Sequence, residues 1–553
     1  MILRGWQAAD SQSDMQWGPV LVLALLFAIE ALAFFHYAQR EILWHQPEFY
    51  DQAVYLISSY QIEAGLRSGS LHDLVEGLSR QIDSALPLEG AGLAVIFGGD
   101  RLPRLFVNFA FFCLAQLVVF RTVQCLTGRS LYGIATVGLL LSQAFLFQPA
   151  GGMFDFRLDF TAACLFGVWL CSLLCAARHS LASGVAMTML AAAALLLHRF
   201  VVSIQMLPVL VLLTVACAAS AVTYRTAQSW LRLRHAGLSL LLTFVMIGCY
   251  AAWKWAAISN YYVEGHLVGD EKIARAHEMG LFMLFDHMMF YPRSIAQGQL
   301  GSNFMGLAAA GLVIAAAIAS GSRRQTELIG LCASAAILPL AVLTVDVSKS
   351  MVVASVAALP MALGVCLICF SPGETRRTAT VFTAMLFITG GGLTAAMRLA
   401  EPMFSNSRTE LMAATALARD VGRQIAASGW QEPIYLSVDA MTSRVNVPAM
   451  TVLIREETGK LYNLQMALGA RVDAFDQSSM EADLAQSHLL VTTPYAGAGP
   501  LPFDASMKAF RRAFEASLRQ DFSPVGTYGE GAGKLTLYVR RTAPATAHQD
   551  VKG

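Results

Sequence analysis

Charged side chains are scarce in this sequence. They make up 14% of its 553 residues, against roughly 25% in a soluble domain, and the deficit excludes an ordinary string of soluble domains. Neither sign of charge dominates. The formal net charge is +1 and no basic run with interleaved aromatics occurs, which excludes a dedicated nucleic-acid binder. Cysteine is missing from the long hydrophilic segments. All ten (Cys113, Cys125, Cys164, Cys171, Cys175, Cys217, Cys249, Cys332, Cys366 and Cys369) lie in or beside apolar blocks. Cys366 and Cys369 have C-x-x-C spacing but within a helical segment, so buried packing thiols are expected rather than disulfides or a metal site. Neither a lipidation signal nor a solenoid repeat is found.

What the chain has instead is apolar residues, 56% of the total, gathered in blocks of about 20, the length that crosses a bilayer as a helix. Eleven spans are expected, at about 17–37, 105–124, 131–150, 159–176, 181–197, 201–222, 237–257, 303–320, 327–344, 351–370 and 379–398. The fifth and sixth are split at His198-Arg199, because one run of about 44 residues is too long for a single crossing. With the N-terminus inside, the inner loops carry Arg129, Arg178, Arg225, Arg232, Arg234, Arg323, Arg324, Arg376 and Arg377, as the positive-inside rule requires. The outer parts are then loop 38–104, the stretch 151–158, the His198-Arg199 hairpin, loop 258–302, loop 345–350 and the tail from about 399. Ala31-Leu32-Ala33 resembles a signal-peptide cleavage site, but Phe34-Phe35 continue an apolar stretch too long for one. The expected fold is an α-helical polytopic membrane module, residues 1–398, with a small extracytoplasmic α/β domain, residues 399–553.

Two amphipathic helices are expected in loop 38–104. One runs from Asp51 to about Leu66 with Val54, Ile57, Tyr60 and Ala64 on its apolar face. The other sets Leu71, Leu74, Val75, Leu78 and Ile82 against a polar face of Asp73, Glu76, Arg80 and Asp83. In the tail, Glu410–Ala427 and Met507–Leu518 read as helices, and 433–438, 488–492 and 534–539 as strands. Gly529-Glu530-Gly531-Ala532-Gly533 reads as a hairpin turn rather than a phosphate loop, since no helix follows it.

Three sets of polar residues stand at the outer membrane edge. Asp51, in Tyr50-Asp51-Gln52, opens a helix, where it is either a cap or a base. Asp155, Arg157 and Asp159, in Phe154-Asp155-Phe156-Arg157-Leu158-Asp159-Phe160, are costly at a membrane boundary unless partnered or wet. Helical spacing would stack Asp155 and Asp159 on one face. The third set is basic and aromatic: Tyr261, Tyr262, His266, Lys272, Arg275, His277, Tyr291 and Arg293, with Asp346 and Lys349 in the next outer loop. These are interfacial anchors or, in part, a phosphate clamp.

Together these residues resemble the GT-C superfamily of polyprenyl-phosphate-sugar-dependent glycosyltransferases, in its bacterial mannosyltransferase-like and RgtA/B/C/D-like branch. Asp51 is similar to that group's acid in the first outer loop, and Arg157-Leu158-Asp159 to its second. Phe290-Tyr291-Pro292-Arg293 and Lys349-Ser350, with Pro360 in the next span, resemble its later stretches. Gln52 follows Asp51 where the group has a second acid, and Ser350-Met351 stand in place of its arginine-tyrosine. The resemblance implies an inverting transfer of sugar from a polyprenyl-phosphate donor to an envelope glycan, lipid or protein at the outer face of the inner (plasma) membrane. It implies Asp51 as base, Asp159 or Asp155 as orienting acid, and Arg293, Lys349, His266, Arg157 and Tyr291 around the donor phosphate. The cofactor stays open, a divalent metal ion on Asp51 and Asp159 being the candidate. The alternatives are a transporter or lipid flippase, which would place polar groups near the bilayer midplane, and a non-catalytic envelope assembly protein. Glu30 lies inside the first span and Lys254 near an outer end.

Overall fold

The apolar blocks fold as the helical rule demands: with no water to satisfy backbone groups in a bilayer, each block closes its own hydrogen bonds. The computed structural model describes residues 17–45, 50–70, 72, 74–75, 78, 81–99, 101–268, 280–318, 326–345, 349–370, 377–404, 408–438, 445–466, 484–492, 520–530 and 534–541. Among them, ten helices are long and apolar enough to cross a membrane. In chain order the principal helices are α1 (Trp17–Tyr37), α2 (Tyr50–Ser68), α3 (Ala85–Phe97), α4 (Arg101–Thr127), α5 (Ser130–Leu141), α6 (Leu158–Cys175), α7 (Leu181–His198) and α8 (Phe200–Tyr224, with a turn at Gln205). They continue with α9 (Ala227–Trp253), α10 (Leu284–Arg293), α11 (Gly301–Ile318), α12 (Thr326–Val345), α13 (Ala358–Cys369), α14 (Arg377–Ala400), α15 (Arg408–Ser428) and α16 (Val447–Thr458).

The third expected span is shorter than its apolar run. α5 stops after 12 residues at Ser142-Gln143, and a short 3₁₀ turn, Ala144–Phe147, leads to the Pro149-Ala150-Gly151-Gly152 stretch. The break is anchored, because the Gln143 side chain donates to the Ala358 carbonyl at 2.8 Å. α5 packs tightly on α14: a Cβ at Gly391 would collide with the Gly138 carbonyl. The fifth and sixth spans separate at Arg199, as expected, with α7 ending at His198 and α8 beginning at Phe200.

α6 is the central helix. Of its 18 residues, 94% are buried within the protein, against 11% of the best window of the first span. Phe160, Phe166 and Trp169 pack completely inside it, whereas Leu21, Leu25 and Leu32 of α1 face outward. That burial makes the start of α6 a fixed point, and the polar residues just before it inherit the rigidity.

The described part of loop 38–104 is largely helical, and packed rather than laid on a surface. α2 buries Ala53, Leu56 and Tyr60 against α3 and α16. α3 itself was not expected. Of the second amphipathic stretch, residues 71, 73, 76, 77, 79 and 80 lie outside the described residues. Its end is pulled inward instead of floating: Lys254 Nζ donates to the carbonyls of Leu78 and Gln81 at 3.0 and 2.9 Å, and the Tyr250 hydroxyl donates to Ile82 O. Asp83 is therefore not on an exposed polar face but 5% exposed.

The tail holds a five-stranded sheet of β1 (Ile434–Val438), β2 (Leu464–Met466), β3 (Leu489–Thr492), β4 (Phe522–Tyr528) and β5 (Leu535–Arg540), in the order β2-β1-β3-β5-β4. β1 runs parallel to β2 and β3, with Leu436 opposite Leu489. β5 runs antiparallel to β3 and to β4, so the glycine-rich 529–533 stretch joins two antiparallel neighbours, as a hairpin connection does. α15 packs on the sheet through Leu417, Val421 and Ile425. The expected helix Met507–Leu518 lies outside the described residues. α16 joins this domain to the membrane module: Glu456 accepts from the Tyr60 hydroxyl at 3.1 Å and pairs with Arg101 at 2.8 Å.

Candidate active site

Four Asp and two Arg residues that come together here derive from four separate stretches of chain. Asp51 stands in the first turn of α2, a position the helix dipole favours for an acid. Its side chain is 49% exposed, and Oδ2 receives Arg157 at 2.8 Å. Arg157 immediately precedes α6 in extended conformation. It also reaches Asp159 Oδ2 at 3.4 Å and lies 3.8 Å from Asp155 Oδ2. One guanidinium thus faces three carboxylates, the arrangement its flat fork suits.

Asp155 and Asp159 do not stack on one helix face. α6 begins at Leu158, because the chain is still turning at Asp155. There the Gly151 N–H donates to Asp155 Oδ2 at 2.6 Å, and Asn108 donates to the Asp155 carbonyl at 2.7 Å. Gly151 has φ +72, and a Cβ there would meet Val352 at 2.8 Å, so the turn needs glycine. Arg157, not the helix, brings the two acids together.

The network continues inward. Arg199, in the break between α7 and α8, pairs with Asp159 Oδ1 and with Asp83 Oδ2, each at 3.4 Å. The same residue reaches the Tyr55 hydroxyl at 3.4 Å, and Asp83 Oδ1 accepts the Phe200 N–H at 2.8 Å. Arg199 and Asp83 were missed as site residues. Arg199 lies at the break between two apolar spans and Asp83 in the first long loop, and nothing in their spacing announces that they meet.

Burial sets the electrostatics. It pushes the Asp155 carboxyl up to about 7 against the pull of Arg157, and the Asp83 carboxyl up to about 6 against Arg199. It opposes charge on Arg157 too, but Asp159, Asp51 and Asp155 outweigh it and keep the guanidinium protonated. Burial likewise keeps the Tyr55 hydroxyl neutral. Asp155 Oδ1 and Asp159 Oδ1 are buried without a hydrogen-bond partner. Of the acids in this cluster, Asp51 is the one with substantial exposure.

A metal ion does not fit these residues well. Asp51 and Asp159 are bridged by Arg157, a cation already in the place a metal would take. Among the described residues, no three His, Cys, Asp or Glu side chains converge as ligands.

The basic residues of the later loops separate into three situations. Lys349 is 1% exposed, donates to the Leu343 and Thr344 carbonyls at 3.1 and 2.7 Å, and lies 5.3 Å from the centre of the Tyr291 ring. It caps the C-terminal end of α12, and Tyr291 of α10 forms its floor. The two are brought together, two residues before the Met351-Val352 segment that packs on Gly151. Arg293, at the end of α10, is exposed. His266 sits in a short π-helical segment, Ser259–Val268, but its side chain, like Lys272, Arg275, His277 and Asp346, falls outside the described residues.

No family model matches the chain, and no curated protein matches it in sequence. Solved structures do. ArnT from Cupriavidus metallidurans bound to undecaprenyl phosphate superposes with a TM-score of 0.57 at 13% identity, covering 95% of this chain and 99% of that one. The chain has the fold of ArnT. The apo form of that protein gives a TM-score of 0.45 at 13% identity over 94% and 98% of the two chains. The Archaeoglobus fulgidus oligosaccharyltransferase in its apo form gives 0.47 at 12% identity over 87% and 70%. The match to lipid-bound ArnT spans both the membrane module and the tail. It agrees with the expected polytopic α-helical architecture carrying a small C-terminal α/β domain.

Proposed function

We propose that this protein is a membrane glycosyltransferase that moves a sugar from a polyprenyl-phosphate donor to an envelope glycan, lipid or protein at the outer face of the inner membrane. The observation that carries the reading is Asp51: a half-exposed carboxylate fixed by Arg157 at the opening of an otherwise buried ionic network, on a fold shared with a protein solved with undecaprenyl phosphate. An acid placed to meet a substrate, with its surroundings immobilised, is what general-base catalysis needs.

In this reading the acceptor hydroxyl attacks the anomeric carbon, and its proton passes to Asp51. The bond between that carbon and the phosphate oxygen breaks, and the lipid phosphate leaves with the electron pair. A single displacement inverts the anomeric configuration. Asp159 and Asp155 orient Arg157 and, through it, Asp51. Tyr291, Arg293 and Lys349 form the donor-phosphate side, with His266 and Arg157 as further ligands, and fixed cations there stabilise the charge that develops on the leaving group. Lys349 would contribute by turning from the α12 carbonyls toward the phosphate.

The deciding experiment is incubation of purified protein with a panel of polyprenyl-phosphate sugars, measuring release of free lipid phosphate. Release from one donor and none from the Asp51→Asn variant supports the proposal. A wild-type protein that turns over no donor refutes it.

A further inference from the structure

The Arg199 side chain is 11% exposed, and it is the point where four separate parts of the chain meet. Asp159 lies between two guanidiniums, Oδ2 toward Arg157 and Oδ1 toward Arg199, each at 3.4 Å. Arg157 in turn holds Asp51 at 2.8 Å. A second route reaches the same helix, since Arg199 contacts the hydroxyl of Tyr55 at 3.4 Å, and Tyr55 lies one turn beyond Asp51 on the same face of α2. Behind Arg199, Asp83 accepts both its guanidinium and the Phe200 N–H. That fixes the break between α7 and α8 to the loop that precedes α3.

We propose that Arg199 is a positioning residue for Asp51, setting the first turns of α2 through the Asp159–Arg157 relay and through Tyr55. The inference rests on the glycosyltransferase reading only for its kinetic consequence; its structural content stands without it. A guanidinium can bridge Asp159, Asp83 and Tyr55 at once, whereas an ammonium, as a compact point charge, cannot hold all three in register. Lysine at this position therefore keeps the charge but loosens the geometry, and misplacing a reacting group by about 1 Å is worth roughly 100-fold in rate.

The test uses full-length protein in nanodiscs. Hydrogen exchange at the amides of residues 53–57 should be at least about threefold faster in Arg199→Lys than in wild type, and faster to a smaller degree in Tyr55→Phe. Exchange in β1 and β3 should not change. With an active donor, Arg199→Lys should lower kcat by about 10- to 100-fold while leaving the donor KM within about twofold. Adding Arg199→Lys to Asp51→Asn should cost nothing further, because one acts through the other. Unchanged exchange in α2 of Tyr55→Phe and of any folded Arg199→Lys overturns the inference. So does a loss that falls on KM, or one that multiplies with Asp51→Asn. If the wild-type protein transfers no sugar, the functional reading fails and the exchange measurement alone decides the role of Arg199.

Discussion

Replacing Arg157 with alanine should destabilise the protein in a way that worsens with rising pH. The side chain is 11% exposed and faces Asp51, Asp159 and Asp155. Removing one partner of a buried ion pair typically costs about 3–5 kcal/mol. The lower end applies, since Asp159 keeps Arg199 at 3.4 Å and Asp155 keeps the Gly151 N–H at 2.6 Å. The pH dependence follows from Asp155, fully buried and titrating at about 7, above the ~3.9 of an unfolded chain. The folded state therefore holds a proton that the unfolded state has released. Its contribution is fully present below about pH 4 and, in the wild type, is lost by the time the pH has risen through about 7. Without the attraction of Arg157 the carboxyl moves higher still, so the loss continues above pH 7. The gap between variant and wild type should widen by up to about 2 kcal/mol between pH 7 and 8.5, at about 1.36 kcal/mol per unit. Asp83 titrates in both proteins and cancels in the comparison. Cys164 and Cys171 are buried in α6, so in protein whose accessible cysteines, Cys249 first among them, are replaced by serine, a thiol-reactive fluorophore reports exposure of the helix that Arg157 precedes. Thermal unfolding of both proteins at pH 7 and 8.5 is the measurement. A gap that stays constant or narrows toward pH 8.5 refutes the electrostatic account of Asp155.

Asp51→Asn should lower kcat by about 10²–10⁴-fold with donor binding largely intact; retention of more than about a tenth of the wild-type rate would make Asp51 a helix cap. Arg293→Ala and Lys349→Ala should each raise the donor KM, and the double variant should be less than additive, because both act on one phosphate. Unchanged kinetics in both singles would move the phosphate toward His266 and Arg157. Only Lys349→Ala should also lower the melting temperature, since Lys349 caps α12 and Arg293 is exposed. In spheroplasts, cysteines placed at Ser68 and Asn260 should react with an impermeant thiol reagent, while those at Ser320 and Ser371 stay unlabelled; the reverse pattern would invert the topology.

Local pattern carried much of this far, and distance in sequence marks where it stopped. Apolar length placed the spans, and charge at their ends isolated Asp51, Arg157 and Asp159 as costly residues. Their pairing was invisible, because positions 51 and 157 are joined only when α2 packs beside the start of α6. Asp83 was misread for a related reason. By helical period it belongs to a polar face, but Arg199 and the Phe200 N–H offer it partners inside, and a paired carboxylate tolerates burial that a lone one does not. In the tail, β4 went unseen because Pro524 and Gly526 spoil its strand pattern. It is an edge strand with an irregularity at those residues, which is where proline is tolerated.

The clasp between α16 and α2 gives the site a timetable. α2 ends at Ser68 and α16 begins at Val447, so 379 residues (447 − 68) separate them. At about 5–20 residues per second of synthesis, roughly 20–75 s pass between completion of the helix that carries Asp51 and arrival of the helix that clamps it. Until then Tyr60 and Arg101 lack Glu456, and the membrane module is present without the brace that α16 supplies. A chain released early, or cut between Phe404 and Val447, would insert like the full protein yet keep its leading helix unlatched, which ties readiness of the site to completion of the chain.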